Sequence, residues 1–287
     1  MFILFVPVGV IIGVLAGFFG IGGGLALMPV LLLVGMNPAE AVSTSLMFTF
    51  GAGAAGALAH ARMGRVKWER AVLIGLTGIF SAQFASRIIV YISGRYDFIL
   101  NLLIEILMLA FVIRLFREKQ DAGPAPVVMP YVPASLLTGL FAGFLSSLLG
   151  IGGGIVIIPL LTIWQRFTAK IAIGTSSAAI MIVSAGGLFS YAGQLRLNWL
   201  VGICLIAGAL IGTPLGAMMT GCYDNRAVSR RLGALYCVTM LSMLLDMAAA
   251  KLPQLQWGSL LVMSLFIGFM LLEFLGRLLK KNKKTDP

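Results

Sequence analysis

The cluster GIGGG from Gly20 to Gly24 is followed by Pro29, and a second GIGGG from Gly150 to Gly154 is followed by Pro159. Each stands inside an apolar run that would otherwise read as one helix. Glycine and proline are the residues least suited to a helix interior. Glycine also allows close approach and unusual dihedrals, so several N–H groups can converge. A helix that restarts after such a break opens with unpaired N–H groups and a positive dipole end. That combination suits a small anion. The chemistry expected of Gly20, Gly22, Gly23, Gly24, Gly150, Gly152, Gly153 and Gly154 is therefore binding.

Hydroxyls follow each cluster: AVSTS from Ala41 to Ser45, and AIGTS from Ala172 to Ser176. The segment Asn37-Pro38-Ala39-Glu40 has the form of a helix N-terminal capping box. Ser43, Thr44 and Ser45 then fall in the first two turns, with Thr175 and Ser176 in the same place in the second half. Two breaks and two hydroxyl clusters could surround one central anion with neutral donors. The competing reading is that glycines and hydroxyls only let helices pack closely. GIGGG is not a P-loop, because no Lys-Ser/Thr follows, and no βαβ unit surrounds it as a dinucleotide site requires.

Ionisable residues are sparse. Glu105 stands mid-element, where it could carry a coupling proton or pair with Arg87 or Arg114. Glu273 lies in the last apolar segment. His60, the one histidine, is expected at the interface. Cys204, Cys222 and Cys237 read as packing residues. Nothing pairs an acid with a base or spaces metal ligands, so an enzyme is disfavoured, and no cofactor or metal is expected.

The elements that must hold these residues are read from hydropathy. The chain of 287 residues is 60% hydrophobic and 11% charged, with mean hydropathy +1.02. Apolar stretches near twenty residues recur throughout, so the fold class expected is an all-α polytopic membrane protein. The net charge of +11 sits in short loops and in the tail from Lys280 to Lys284. Anionic lipid, not nucleic acid, is its expected partner. Trp68, Trp199 and Trp257 open elements, as interface anchors do.

The chain also repeats itself. Gly9 and Gly13 recur as Gly139 and Gly143. After a one-residue insertion, Gly56 recurs as Gly187, His60 falls on Tyr191, and Trp68 recurs as Trp199. The expected organisation is a first repeat over 1–116, a polar linker over 117–131, and a second repeat over 132–250. An extra transmembrane helix with a basic tail covers 251–287.

The first element of each half is too long for one crossing: residues 2–35 as one helix would measure about 50 Å, against a hydrocarbon core of about 30 Å. If each long element is instead a re-entrant hairpin, 17 of the 21 Lys and Arg fall on one side. Arg87, Arg95, Arg196 and Lys251 fall on the other. Nine single crossings would split them almost evenly. The hairpin arrangement obeys the positive-inside rule. It leaves three crossings per repeat, so the halves must be inverted, as in many secondary transporters. The C-terminus is then cytoplasmic and the N-terminus periplasmic.

The doubled GxGGGxxxxPxL pattern, the A-[VI]-x-T-S pattern after each, and Gly64-Arg65-Val66-Lys67-Trp68 resemble the sulfite exporter TauE/SafE family, also described as 4-toluene sulfonate uptake permeases. The resemblance runs through nearly the whole chain. It implies an inner-membrane permease for sulfite, a sulfonate or a related organosulfur anion. Carried over by position, the motif residues are Gly20, Gly22, Gly23, Gly24, Pro29, Thr44 and Ser45, with Gly150, Gly152, Gly153, Gly154, Pro159, Thr175 and Ser176. Another small anion such as a carboxylate, or a non-transporting assembly factor, stays open, as does a homodimeric assembly. The sequence departs from its own symmetry where Ser81 to Ala85 stand against Gly212-Thr213-Pro214-Leu215-Gly216. Looser packing is expected at the third element of the first half.

Overall fold

In a computed structural model, the residues described are 4–36, 38–92, 106, 109–110, 112–113, 129–149, 153–192, 198–249 and 256–282. Among them the chain is helical throughout, with ten helices. Helices α1 (Phe5–Phe19), α2 (Gly24–Leu33), α3 (Pro38–Arg62) and α4 (Trp68–Ile92) come from the first half. Helices α5 (Tyr131–Leu149), α6 (Gly154–Gln165), α7 (Ala169–Ala192) and α8 (Trp199–Gly221) come from the second. Helices α9 (Asn225–Ala249) and α10 (Gln256–Asn282) follow. Glu105, Gly150, Gly152, Arg114 and the polar linker lie outside the described residues, as does the side chain of Arg87.

Among the described residues, four helices are long and apolar enough to cross a membrane: Glu40–Arg62, Ala169–Phe189, Trp199–Gly221 and Trp257–Phe274. Their outward faces carry large apolar side chains such as Phe189, Ile203 and Leu272, all well exposed. A water-soluble surface does not hold apolar area on this scale. Trp68, Trp199 and Trp257 open α4, α8 and α10 with exposed side chains. Cys222 and Cys237 are exposed and Cys204 is partly buried. Cys204 packs against the buried cluster that holds Leu205 and Ala209, as expected of a packing residue; for the exposed Cys222 and Cys237 that expectation is corrected.

The helix breaks where glycine accumulates. Helix α1 ends at Phe19 and α2 begins at Gly24; between them Gly20, Gly22 and Gly23 take φ of 66°, 80° and 76°. In the second half α5 ends at Leu149 and α6 begins at Gly154, with Gly153 at φ 74°. These are left-handed conformations that a side chain would strain.

The chain forms two compact units, each drawing on both halves. One comprises Met1–Asp97 with Arg117–Ser229, the other Phe98–Phe116 with Arg230–Pro287. In the first unit α1 packs on α8, α4 on α5, and α3 on α7; α3 also meets α8, and α4 meets α7. Exchanging the halves maps this set of pairs onto itself. It does so residue by residue. A Cβ on Gly9 would stand 2.5 Å from the Leu205 carbonyl, and one on Gly139 would stand 2.4 Å from the Ile74 carbonyl. Leu205 and Ile74 are equivalent in the two repeats.

Glycine supplies the closest seam. On α1, Gly9, Gly13 and Gly17 meet Leu205, Ala209 and Thr213, while on α8 Gly208, Gly212 and Gly216 meet Val6, Val10 and Val14. Backbone lies on backbone, as in tight membrane-helix pairs. The α4–α5 seam is less extensive than the α1–α8 seam, as the asymmetry at Ser81 to Ala85 implied, but it still has backbone contact. A Cβ on Gly143 would stand 2.1 Å from the Gly78 carbonyl. Glycine at 78 restores one turn earlier the approach that Ser81 forgoes, and Ser81 Oγ donates to the Leu140 carbonyl at 2.6 Å.

In the second unit, Arg231 Nε donates to Glu273 Oε2 at 3.1 Å, and Arg277 Nε lies 3.6 Å from Glu273 Oε1. The Glu273 carboxylate is thus paired, which removes the main cost of holding it in an apolar helix.

Candidate functional site

The end of α1 is a half-helix terminus, and its last carbonyls have no partner within the helix. Gly20 N–H turns back to the Ala16 carbonyl at 2.8 Å. Three further carbonyls at this end are met by side chains from three other helices. His60 of α3 lies with Nε2 2.9 Å from the Gly17 carbonyl. Thr220 of α8 donates to the Phe18 carbonyl at 3.2 Å, and Ser176 of α7 donates to the Gly20 carbonyl at 2.9 Å. A carbonyl only accepts, so His60 carries its proton on Nε2.

The expectation of an interfacial His60 is therefore corrected: its side chain is wholly buried because it is drawn in by that carbonyl. His60→Leu should lower the unfolding temperature, since it strands a buried carbonyl at a cost of about 1–3 kcal/mol. His60→Gln, which keeps a donor, should recover much of the loss; thermal unfolding in detergent reads both.

Helices α2 and α6 start alike. Ala26 and Leu27 N–H bond the Gly23 carbonyl at 3.2 and 3.1 Å, and Val156 and Ile157 N–H bond the Gly153 carbonyl at 3.0 and 3.1 Å. The N–H groups of Gly24, Leu25, Gly154 and Ile155 precede these ladders. Gly153 caps α6 with no side-chain hydrogen bond.

The two breaks touch. A Cβ on Gly154 would stand 2.6 Å from Ile21 Cα, and 2.5 Å from Cδ1 of Ile180 on α7. A Cβ on Gly22 would stand 2.7 Å from Thr49 Cγ2 and 3.1 Å from Ile180 Cγ2. Thr49 and Ile180 are themselves equivalent in the two repeats. The chain also returns on itself around the second break. Tyr131 at the start of α5 and Phe167 just past α6 have their rings 5.1 and 5.2 Å from the Arg70 guanidinium. Gln165 Nε2 donates to Ser135 Oγ at 3.0 Å between the same two helices.

The hydroxyls named from sequence are all buried, and they divide by partner. Ser43 Oγ donates to the Glu40 carbonyl at 3.0 Å. Thr175 Oγ1 accepts from Lys67 N–H at 3.1 Å, and Ser176 caps Gly20 as above. Ser45 is engaged as well. Thr44 Oγ1 is buried with no hydrogen-bond partner, as are Thr49 Oγ1 and Thr213 Oγ1. Thr44 lies one turn before Phe48, whose ring edge would be 2.6 Å from a Cβ on Gly23. Thr213 Oγ1 would be 3.2 Å from a Cβ on Gly13. Thr49, Thr213 and Thr220 were not singled out from sequence. The available signal was a polar residue inside an apolar span.

Apolar spans, helices broken at glycine, and buried hydroxyls at the breaks define a polytopic membrane protein with a polar interior. Against known proteins, the chain matches the family model for sulfite exporter TauE/SafE over residues 5–243. It belongs to that family of membrane transporters. A probable membrane transporter protein of Methanocaldococcus jannaschii is 32% identical over 198 residues, covering 66% of this chain and 71% of its own. One from Xylella fastidiosa strain Temecula1 is 31% identical over 220 residues, covering 74% of this chain and 82% of its own. YunE of Bacillus subtilis, also named a probable membrane transporter protein, is 24% identical over 240 residues, 75% of this chain and 87% of its own. No solved structure matches.

Proposed function

We propose that the chain is a secondary transporter moving sulfite, an organosulfonate or a related small sulfur-containing oxyanion across the inner membrane. The two repeats are inverted, and each Gly-broken element is a re-entrant hairpin. The observation that carries this reading is the contact of the two breaks at Ile21 and Gly154, beside the buried hydroxyl of Thr44, which has no partner in the protein. Neutral N–H and hydroxyl donors hold an oxyanion without a fixed positive charge, so the solute can also leave. Two further observations support inversion and re-entry. Packing pairs survive exchange of the halves, and both ends of the α5–α6 segment reach Arg70. With the basic loops facing the cytoplasm, the C-terminus is cytoplasmic and the N-terminus periplasmic.

Thr44 gives the test. Its hydroxyl satisfies nothing in the protein, so Thr44→Val removes a buried unpaired group. Thermal stability should stay level or rise. Saturable uptake of labelled sulfite into proteoliposomes should fall roughly three- to tenfold, the worth of one neutral hydrogen bond. Unchanged uptake in Thr44→Val combined with Thr213→Val would defeat the site. Competition by a small carboxylate as effective as sulfite would move the substrate class. Absence of flux for any small anion would favour the assembly factor.

A further inference from the structure

The cap that His60 places on the Gly17 carbonyl uses only one nitrogen of its ring. Nε2–H donates, which leaves Nδ1 as a bare lone pair. Nδ1 is buried and has no hydrogen-bond partner. A histidine serving packing alone would have both nitrogens satisfied. Other polar atoms in the same condition lie along the same helix face. Thr49, Gly53, Gly56 and His60 recur at intervals of three and four, so they share one face of α3. That face looks onto α7: a Cβ on Gly53 would stand 2.9 Å from Met181 N, and one on Gly174 would stand 3.1 Å from His60 Cβ. A Cβ on Gly56, one turn before His60, would stand 3.3 Å from Thr213 Cγ2 and 3.3 Å from Ser177 Oγ. Ser177 donates to the Ile173 carbonyl at 3.0 Å, but Thr213 Oγ1 has no partner. Thr49, at the far end of the face, meets the first break at Gly22, and its Oγ1 has no partner either. His60 and Thr49 stand about 16 Å apart along the helix axis. Unpartnered polar atoms therefore mark both ends of this face and the neighbour of its middle.

A lone pair on an imidazole nitrogen calls for a donor. Protonation at Nδ1 supplies one and leaves Nε2–H on Gly17 in place, so the cap of α1 survives the change. The position favours the cation, because Gly17 is in the last turn of α1, at the negative end of the helix dipole. The charged and titratable groups around the ring add no answering acid. Arg65, in the turn after α3, bonds the His60 carbonyl through its N–H at 3.0 Å. Lys170 lies one turn before Gly174 on α7. Beyond α8, Cys222 Sγ lies 3.8 Å from the Met218 carbonyl, Tyr223 packs edge-on against Phe18 with ring centroids 5.5 Å apart, and Asp224 Oδ1 accepts from Ala227 N–H. An isolated imidazolium in an apolar span is costly. Its counter-charge must then arrive with the solute, and by linkage each of the two raises the affinity for the other.

We propose that Nδ1 of His60 is the proton-binding site that couples transport: one anion crosses together with one proton held here. The coupling rests on the transport reading above, whereas the proton site itself does not. A monovalent anion and its proton cross without net charge, so an inside-negative membrane potential does not oppose entry. The unpartnered hydroxyls of Thr213 and Thr49 give the proton or its water hydrogen-bond partners on the way between His60 and the breaks.

Because the chain has one histidine, its ring can be read alone. The full-length protein, labelled with 15N-histidine and carrying no added histidines, is placed in liposomes. The expected nitrogen spectrum is that of the Nε2–H tautomer at about pH 8, gaining a proton on Nδ1 as pH falls toward about 5. Saturating methanesulfonate, an anion with no proton of its own to give, should move the midpoint up by about one pH unit, the linkage of a tenfold change in affinity. In transport, a gradient of one pH unit, acid outside, should accumulate labelled methanesulfonate up to about tenfold, and a protonophore should abolish the gain. His60→Gln keeps a donor for Gly17 and cannot take the proton. The ratio of its uptake with the gradient to its uptake at equal pH should fall to about one. A ratio in His60→Gln equal to that of the native protein overturns the coupling. A ring that stays the Nε2–H tautomer throughout, with and without methanesulfonate or acetate, overturns the proton site. A ring that titrates in a protein carrying no methanesulfonate supports the proton site and counts against the solute named above.

Discussion

Gly216→Val is expected to yield no folded protein. A Cβ at this position would stand 1.9 Å from the Val14 carbonyl oxygen and 2.8 Å from the Phe18 nitrogen. Both are backbone atoms of α1, so no side-chain rotation relieves the overlap. The helices would have to separate along a seam where glycine recurs every fourth residue on both sides. Overpacking a core costs about 1–3 kcal/mol when neighbours can adjust. Here they cannot, and the loss should exceed ~3 kcal/mol, a large share of a domain's net stability. Size-exclusion profile and thermal unfolding after detergent extraction measure it. A monodisperse variant with a native-like unfolding temperature would show that α1 and α8 are not in backbone contact.

Gly154→Ala is expected to keep the fold and remove most of the transport. Gly154 is the first residue of α6 and takes no positive φ, so alanine suits its backbone and favours the helix. The added methyl would stand 2.6 Å from Ile21 Cα, in the first break. The two breaks must then part. A displacement of order 1 Å at a binding centre can cost about a hundredfold in rate, so sulfite flux should fall at least tenfold. Gly268→Ala in α10 is the control. Nothing lies within 4 Å of its Cβ position, and replacing an interior helix glycine there should stabilise by about 0.4–1 kcal/mol. Flux in Gly154→Ala equal to that in Gly268→Ala would mean that contact between the breaks is irrelevant to passage.

Helix length, the location of the breaks and the repeat were legible in the sequence because each is a local property. A run of apolar side chains has to span lipid as helix, and Gly20 to Gly24 interrupts it whatever lies nearby. Glycine at 9 and 13 and again at 139 and 143 announced close packing, but not its partners. Roles among the hydroxyls were not legible. Thr44, Thr175 and Ser176 look alike in sequence, yet one has no partner, one accepts from a loop amide, and one caps a carbonyl 156 residues away.

His60 is the plainest case. Alone near a helix end, it reads as a polar tip for the interface, and only the tertiary structure brings it to the Gly17 carbonyl, 43 residues away. The sequence by itself determined which segments are apolar helices, where they break and that they do so twice. The tertiary structure decided which polar groups are consumed in holding the broken ends and which find no partner in the protein. The reason is physical: a half-helix leaves its unpaired carbonyls wherever the glycine falls. The donors that satisfy them come from helices remote in the chain, and packing alone selects them.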